Sequence, residues 1–142
     1  MEQRLNRVSE DGPNIAVDAI HCTSDGNPGY WSCSWRIKNL TGQPMKFFAA
    51  RLPHGQFKGQ EQEFKPLLEV APESGARLET SVLCDGQPGA VIENAFLILA
   101  CEWQAERWRI FARLRVTINQ QGEPAPITEL ITTQRVGFSG LS

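Results

Sequence analysis

The chain has little of the material from which enzymes commonly build a reactive centre. Only two histidines occur in its 142 residues, and its four cysteines, at positions 22, 33, 84 and 101, form no Cys-x-x-Cys pair. A Gly-x-Ser-x-Gly nucleophile motif, a glycine-rich phosphate loop and a His-Glu-x-x-His metal motif are also missing. We therefore expect a protein that is not an enzyme and that has no metal centre and no cofactor.

The chain also lacks a large excess of charge of either sign, and it has no long apolar run. The formal net charge is −2 at pH 7, so bulk charge gives no attraction for nucleic acid. No segment approaches the roughly 20 apolar residues of a membrane-spanning helix. Residues 1–7 are polar, which predicts no signal peptide. These absences lead us to expect a cytoplasmic protein that contacts neither nucleic acid nor membrane.

What the chain does contain is a regular alternation of apolar and polar residues, strongest in the second half. An apolar run from Ala95 to Cys101 is followed by apolar residues at every second position from Trp108 to Ile118. Since side chains alternate between the two faces of a strand, we predict a central β-hairpin here. Gln104–Glu106 is poor turn chemistry, and a helix over Glu93–Leu114 would use good helix formers, but the alternation does not fit a 3.6-residue period.

Shorter alternations, separated by Gly/Pro turns such as Asp25–Gly29 and Asp85–Gly89, predict seven or eight strands in all. We expect an all-β protein, an antiparallel β-sandwich formed by residues 14–138 and preceded by a flexible arm at residues 1–13. The inward faces predict a buried core that includes Trp35, Ile37, Leu78, Val82, Leu97, Leu99, Ile110, Leu114 and Val116.

Two segments carry a resemblance to a known kind of module. Trp35–Pro44 is an alternating strand that ends in Asn-Leu-Thr-Gly, and Val70–Ala76 is a Pro-Glu turn before a later strand. Both segments resemble parts of bacterial immunoglobulin-like modules. The resemblance implies an immunoglobulin-like β-sandwich and transfers no functional residue. The chain departs from immunoglobulin domains in one respect, because Cys33 and Trp35 share a strand.

The polar segment from Pro53 to Pro66 is the longest stretch without periodicity. We predict that it is a mobile loop without catalytic machinery, since only Phe57 and Phe64 offer apolar area to bury. A short edge strand is expected to follow at Leu67–Val70.

The cysteines and histidines favour structural roles. Each cysteine lies in or beside a strand-like run, where a free thiol behaves as a small buried apolar group, so we expect four reduced thiols. A disulfide between Cys33 and Cys101 is the alternative. His21 and the neighbouring Cys22 point to opposite faces, and His54 has no nucleophile near it in sequence.

Cationic and aromatic side chains supply the candidate binding sites. The outward face of the last long alternation is lined by arginine, and it would receive an anion or an acidic partner, with its one phenylalanine as a stacking surface. The alternative is a solvated face balanced by Glu79 and Glu102. Trp31 and Trp103, near strand ends, are the tryptophans most open to a sugar. The candidate site residues are Arg107, Arg109, Phe111, Arg113 and Arg115.

Together these features predict an interaction module that contacts a protein partner or a second copy through edge strands, with Leu67–Val70 and Ile127–Val136 as the candidate edges. The alternative is a module that binds a small or anionic ligand on the arginine face. An enzyme that uses His54 with the acids of its loop has the least support.

Overall fold

A computed structural model of the protein describes residues 12–136, which form eight antiparallel β-strands. The predicted all-β antiparallel fold class is thereby confirmed. Within the described range, no helix is long and apolar enough to cross a membrane. The strands are β1 (Ile15–Ser24), β2 (Tyr30–Asn39), β3 (Met45–His54), β4 (Phe57–Val70), β5 (Gly75–Leu83), β6 (Val91–Trp103), β7 (Glu106–Ile118) and β8 (Pro124–Arg135).

The strands follow the order β1-β2-β5-β4-β3-β6-β7-β8 and make a nearly closed, barrel-like sheet. Its two outermost strands, β1 and β8, lie next to each other. Most of the predicted arm, residues 1–11, lies outside the described residues, as do residues 137 and 138 of the predicted domain. Gly12 and Pro13 are buried, and Gly12 lies so close to Thr133 of β8 that a Cβ would overlap that side chain.

The core lies inside the curved sheet and is built from the inward positions of every strand. The predicted central hairpin is confirmed, since β6 and β7 pair from Val91↔Thr117 to Trp103↔Glu106. Trp35 is fully buried, and its indole N–H donates to Thr80 Oγ1 at 2.9 Å. All nine predicted core residues are buried: Trp35, Ile37, Leu78, Val82, Leu97, Leu99, Ile110, Leu114 and Val116.

The turn of that hairpin is formed by two residues that rarely occupy a tight β-turn of this kind. Gln104 and Ala105 both have positive φ, 54° and 63°. A two-residue hairpin loop of this conformation matches the twist of the strands that it joins, and glycine or asparagine normally occupies it. The extensive pairing of β6 with β7 therefore stabilises a backbone conformation that is unfavourable for the turn residues themselves.

The prediction of a mobile loop from Pro53 to Pro66 is wrong, because this segment is the end of β3 and most of β4. Pro53 pairs with Lys58, and His54 pairs with Phe57. Phe57 is fully buried. The sequence of β4 shows no regular alternation of apolar and polar residues, because its pairing with β3 shifts register at two places.

Candidate functional site

The candidate arginine row does lie on the outer face of β7, but neighbouring side chains engage most of its members. The guanidinium of Arg107 lies 4.4 Å from the centre of the Phe48 ring, which is a cation–π contact. Arg113 pairs with Glu129 and Arg115 with Glu93, each at 3.7 Å. The balancing acids are thus on β8 and β6 and differ from the pair expected from the sequence.

Phe111, the proposed stacking surface, is also engaged. Its ring meets that of Phe96 edge to face, with the centroids 6.4 Å apart, and its side chain is half-buried. The two phenylalanines form a small apolar ridge between the arginines of β7 and the outer residues of β6. Phe111 is therefore packed against a neighbouring ring and does not stand alone as a stacking surface.

Arg109 is the member of the row that differs. Among residues 12–136 it has no carboxylate within ion-pairing distance. It lines a hollow of about 280 Å³ on the outer face, together with Arg51 of β3 and Glu61 of β4. The rest of the lining is formed by small or apolar side chains, Ala49, Ala50, Ile98 and Ala100.

The two histidines lie at different places in the sheet, His54 at the turn between β3 and β4 and His21 on β1. His54 Nδ1 accepts a hydrogen bond of 3.0 Å from the backbone N–H of Gln56, which fixes the turn between β3 and β4. His21 lies on β1, opposite Ser34, whose hydroxyl donates to Glu79 at 2.7 Å. That bond is the main reason why the pKa of Glu79 lies below its ordinary value.

The tryptophans are held by the fold. Trp31 donates its indole N–H to the backbone oxygen of Cys84 at 3.0 Å, and Trp103 donates to Thr41 Oγ1 at 3.1 Å. Trp103 also meets Trp108 edge to face, at 6.2 Å between centroids. These contacts anchor strand ends, and they leave Trp31 and Trp103 half-buried, whereas Trp35 and Trp108 are buried.

The expectation of four reduced thiols is wrong. Cys22 and Cys33 form a disulfide between directly opposed residues of β1 and β2. A register shift between Ala19 and His21 brings Cys22, instead of His21, opposite Cys33. The alternative pairing of Cys33 with Cys101 is wrong too, because Cys101 is free.

The two remaining cysteines, Cys84 and Cys101, are free and buried. Burial raises the pKa of Cys101 to about 12 and raises that of Cys84 as well, so neither thiol is a ready nucleophile. Cytoplasmic location stays a prediction, and the disulfide does not support it, since structural disulfides persist mainly in oxidising compartments. Within residues 12–136, no group of three or more His, Cys, Asp or Glu side chains is arranged to hold a metal ion.

The sheet is only loosely paired at the seam between β4 and β5. These neighbours share a single paired position, Lys58↔Leu83, whereas β2 and β5 pair along nine consecutive residues from Tyr30↔Leu83 to Lys38↔Gly75. Where β4 leaves β5, a cleft of about 600 Å³ opens. Its lining consists of Tyr30, Lys58, Gly59, Gln60, Glu61, Gln62, Ser81, Val82 and Leu83.

The backbone of β5 directs a row of hydrogen-bonding groups towards this seam. Cys84 N–H donates to Gly29 O and Asn39 N–H donates to Ser74 O, both in the register of the β2–β5 ladder. In an antiparallel ladder, bonded pairs alternate along the strand, so the even-numbered residues of β5 bond to β2. The odd-numbered residues Arg77, Glu79 and Ser81 therefore direct their N–H and C=O groups towards β4, with which they share no ladder position.

Glycine is required at the point where the two strands meet. A Cβ at Gly59 would lie 2.6 Å from the backbone oxygen of Ser81, too close for any other residue without a shift of the backbone. Beside this contact, Tyr30 and Leu83 are 44% and 39% exposed and give the cleft an apolar rim. The sequence holds little trace of this arrangement beyond a glycine within a polar run.

The predicted edges Leu67–Val70 and Ile127–Val136 carry features that disfavour the addition of a partner strand. Leu67–Val70 lies at the end of β4, behind a register shift and next to Lys65 and Pro66, and bulges, charges and prolines are features that blunt edges. The predicted segment Ile127–Val136 belongs mainly to β8, which begins with prolines at 124 and 126 and lies beside β1. In contrast, β5 contains no proline or lysine and alternates cleanly between buried and exposed residues.

A scan against protein-family models gives no match for this chain, and a search of curated proteins gives none.

Proposed function

We propose that the protein is a non-enzymatic interaction module that binds an extended segment of a partner protein by strand addition to β5 at the β4–β5 seam. The observation that carries this proposal is the row of seam-facing backbone groups at Arg77, Glu79 and Ser81, which have no ladder partner. An added strand would satisfy these groups with main-chain hydrogen bonds, which is the recognition mode of strand-addition domains.

The surroundings of the seam support selectivity for the bound segment. Main-chain bonds give affinity for any extended chain, whereas pockets for alternate side chains distinguish one chain from another. Tyr30 and Leu83 offer an apolar contact at the rim of the cleft. Lys58 and Glu61 lie on the opposite wall, so the preferred segment carries an apolar residue flanked by polar ones.

The strand order also supports an immunoglobulin-like sandwich, which we propose as the finer description of the fold. β1-β2-β5 would form one layer and β4-β3-β6-β7-β8 the other, joined through the single pair Lys58↔Leu83. Strand addition at β5 would then extend the smaller layer at its free edge, without disturbing the core between the layers.

Ser81 gives a sharp test, because its N–H faces the seam and not β2. Peptides that bind the protein would be selected from a random decapeptide library displayed on phage, and their affinities measured by calorimetry. Ser81→Pro removes a seam-facing donor and is tolerated at an unpaired edge. We expect it to weaken binding at least about tenfold, the loss expected when a main-chain hydrogen bond cannot form.

The matched control is Ser81→Ala, which keeps the N–H and is expected to bind as the natural protein does. Circular dichroism and a cooperative melt would verify that Ser81→Pro is folded. Failure to select any peptide, or equal affinity of the proline and alanine variants, would overturn strand addition at this edge.

A further inference from the structure

We propose that Arg51 and Arg109 together bind a compact oxyanion, such as a phosphate group or a small dicarboxylate, in the hollow on the outer face of the sheet. This site shares Glu61 with the lining of the β4–β5 cleft, but it does not depend on the function proposed for the seam. The hollow contains Arg109, the member of the arginine row for which the described residues provide neither an ion pair nor a cation–π contact.

The hollow forms because its floor consists of alanine residues, while larger side chains such as Arg51 and Arg109 surround them. Ala49 of β3 and Ala100 of β6 are directly paired, and Ala100 is paired with Arg109 of β7. The short alanine side chains leave a depression in the outer face of the sheet, and the longer side chain of Arg109 lies beside it. Ile98, although it lies on the outer face, is only 8% exposed and forms one apolar side of the hollow.

The backbone positions of the two arginines allow both side chains to reach one ligand. Arg51 pairs with Ile98, so it stands two strands away from Arg109 and two residues along the sheet. At roughly 4.8 Å between strands and roughly 3.4 Å per residue, their Cα atoms are about 12 Å apart. Each long arginine side chain covers about half of that distance, which leaves room for an anion between two planar donor groups.

The charges around the hollow also favour the binding of an anion. Among residues 12–136, no carboxylate lies within ion-pairing distance of Arg51 or Arg109, whereas Arg113 and Arg115 each have one. Glu61 lines the hollow without pairing to either arginine and would oppose an anion. Two guanidinium groups and one carboxylate leave a net positive site, and guanidinium is the side chain that binds carboxylate and phosphate with two parallel hydrogen bonds.

The volume sets the size of the ligand. A hollow of about 280 Å³ holds a phosphate group or a short dicarboxylate and is shallow for anything larger. Its apolar side at Ile98 would accept a short hydrocarbon spacer between two acidic groups. Inorganic phosphate and succinate are therefore the two probes that distinguish a phosphate site from a dicarboxylate site.

The test is a titration of the ¹⁵N-labelled full chain with each probe, following the Nε–Hε signals of the arginines. We expect saturable shifts at Arg51 and Arg109 at low ionic strength, and no such shifts with sodium chloride at matched ionic strength. Arg109→Gln and Arg51→Gln should each weaken binding at least about tenfold, because each removes charged hydrogen bonds. Glu61→Gln should tighten binding by about threefold by removing a repulsive charge.

Two matched variants keep the test specific. Arg115→Gln removes an equal charge from the same strand, but its arginine is paired with Glu93, so affinity should change little. Ser81→Pro, which blocks the seam, should leave anion binding unchanged. Shifts that do not saturate with either probe, or equal losses in Arg115→Gln and Arg109→Gln, would overturn the anion site.

Discussion

Replacing Phe57 with alanine is expected to destabilise the protein by about 3–5 kcal/mol, the cost of emptying a buried phenylalanine site. Phe57 is fully buried and is the first residue of β4, directly opposite His54 at the turn from β3. Its ring anchors the start of a strand that otherwise exposes mainly charged and polar side chains. Removing the ring therefore leaves a cavity and loosens β4 at the point where it meets β5.

Denaturant unfolding measures this loss, with Phe64→Ala as the matched control. Phe64 lies on the same strand but is only partly buried against the core, so its removal should cost about 1 kcal/mol. If Phe57→Ala were as stable as Phe64→Ala, β4 would not be anchored by Phe57, and the segment would behave as the mobile loop that its composition predicts.

Reducing the Cys22–Cys33 disulfide is expected to lower stability by about 3 kcal/mol. The two cysteines are 11 residues apart in sequence, and closing a loop of that length restricts the unfolded chain. For a domain of this size the loss corresponds to a fall of about 10 °C in the melting temperature. The fold should survive, because β1 and β2 remain paired along their length.

Thermal melts with and without a dithiol reductant measure the effect, and a Cys22→Ala/Cys33→Ala double variant supplies the control because reductant should leave its melting temperature unchanged. Thiol titration of the denatured, unreduced protein should count two groups, Cys84 and Cys101. A count of four, together with melts that do not respond to reductant, would contradict the disulfide.

The β6–β7 hairpin shows what local pattern can predict. An apolar run followed by strict alternation fixes which residues of β7 face inward, and every even-numbered residue from Trp108 to Ile118 is buried. The core predicted from these faces is correct because burial is the property that binary patterning encodes most directly.

The errors share a different physical origin, which is pairing between distant segments. The strand predicted at Leu67–Val70 is the end of β4, but the preceding part of β4 is not predicted, because two register shifts against β3 leave its pattern irregular. The Cys22–Cys33 bond was missed because a single shift in the β1–β2 register places them opposite each other. Register depends on contacts across the sheet, and no local period reports it.

For the candidate sites too, local features are predictable from the sequence, whereas features that depend on contacts between strands are not. The sequence correctly places the arginine row on one outer face, but which arginines are paired depends on acids from β6 and β8 that approach only in the folded sheet. Arg51 of the hollow gives no signal in the sequence, since it becomes a neighbour of Arg109 only across β6. The seam also appears only when β4 and β5 are placed side by side.

The central claim, that β5 presents an unpaired backbone edge, is tested most directly by amide hydrogen exchange of the unbound protein, followed residue by residue with NMR. The proposed arrangement predicts that the amides of Arg77, Glu79 and Ser81 exchange on the order of 100-fold faster than those of Leu78, Thr80 and Val82, which bond to β2. Equal protection of both sets would contradict it, because the β4–β5 seam would then be closed by a continuous ladder.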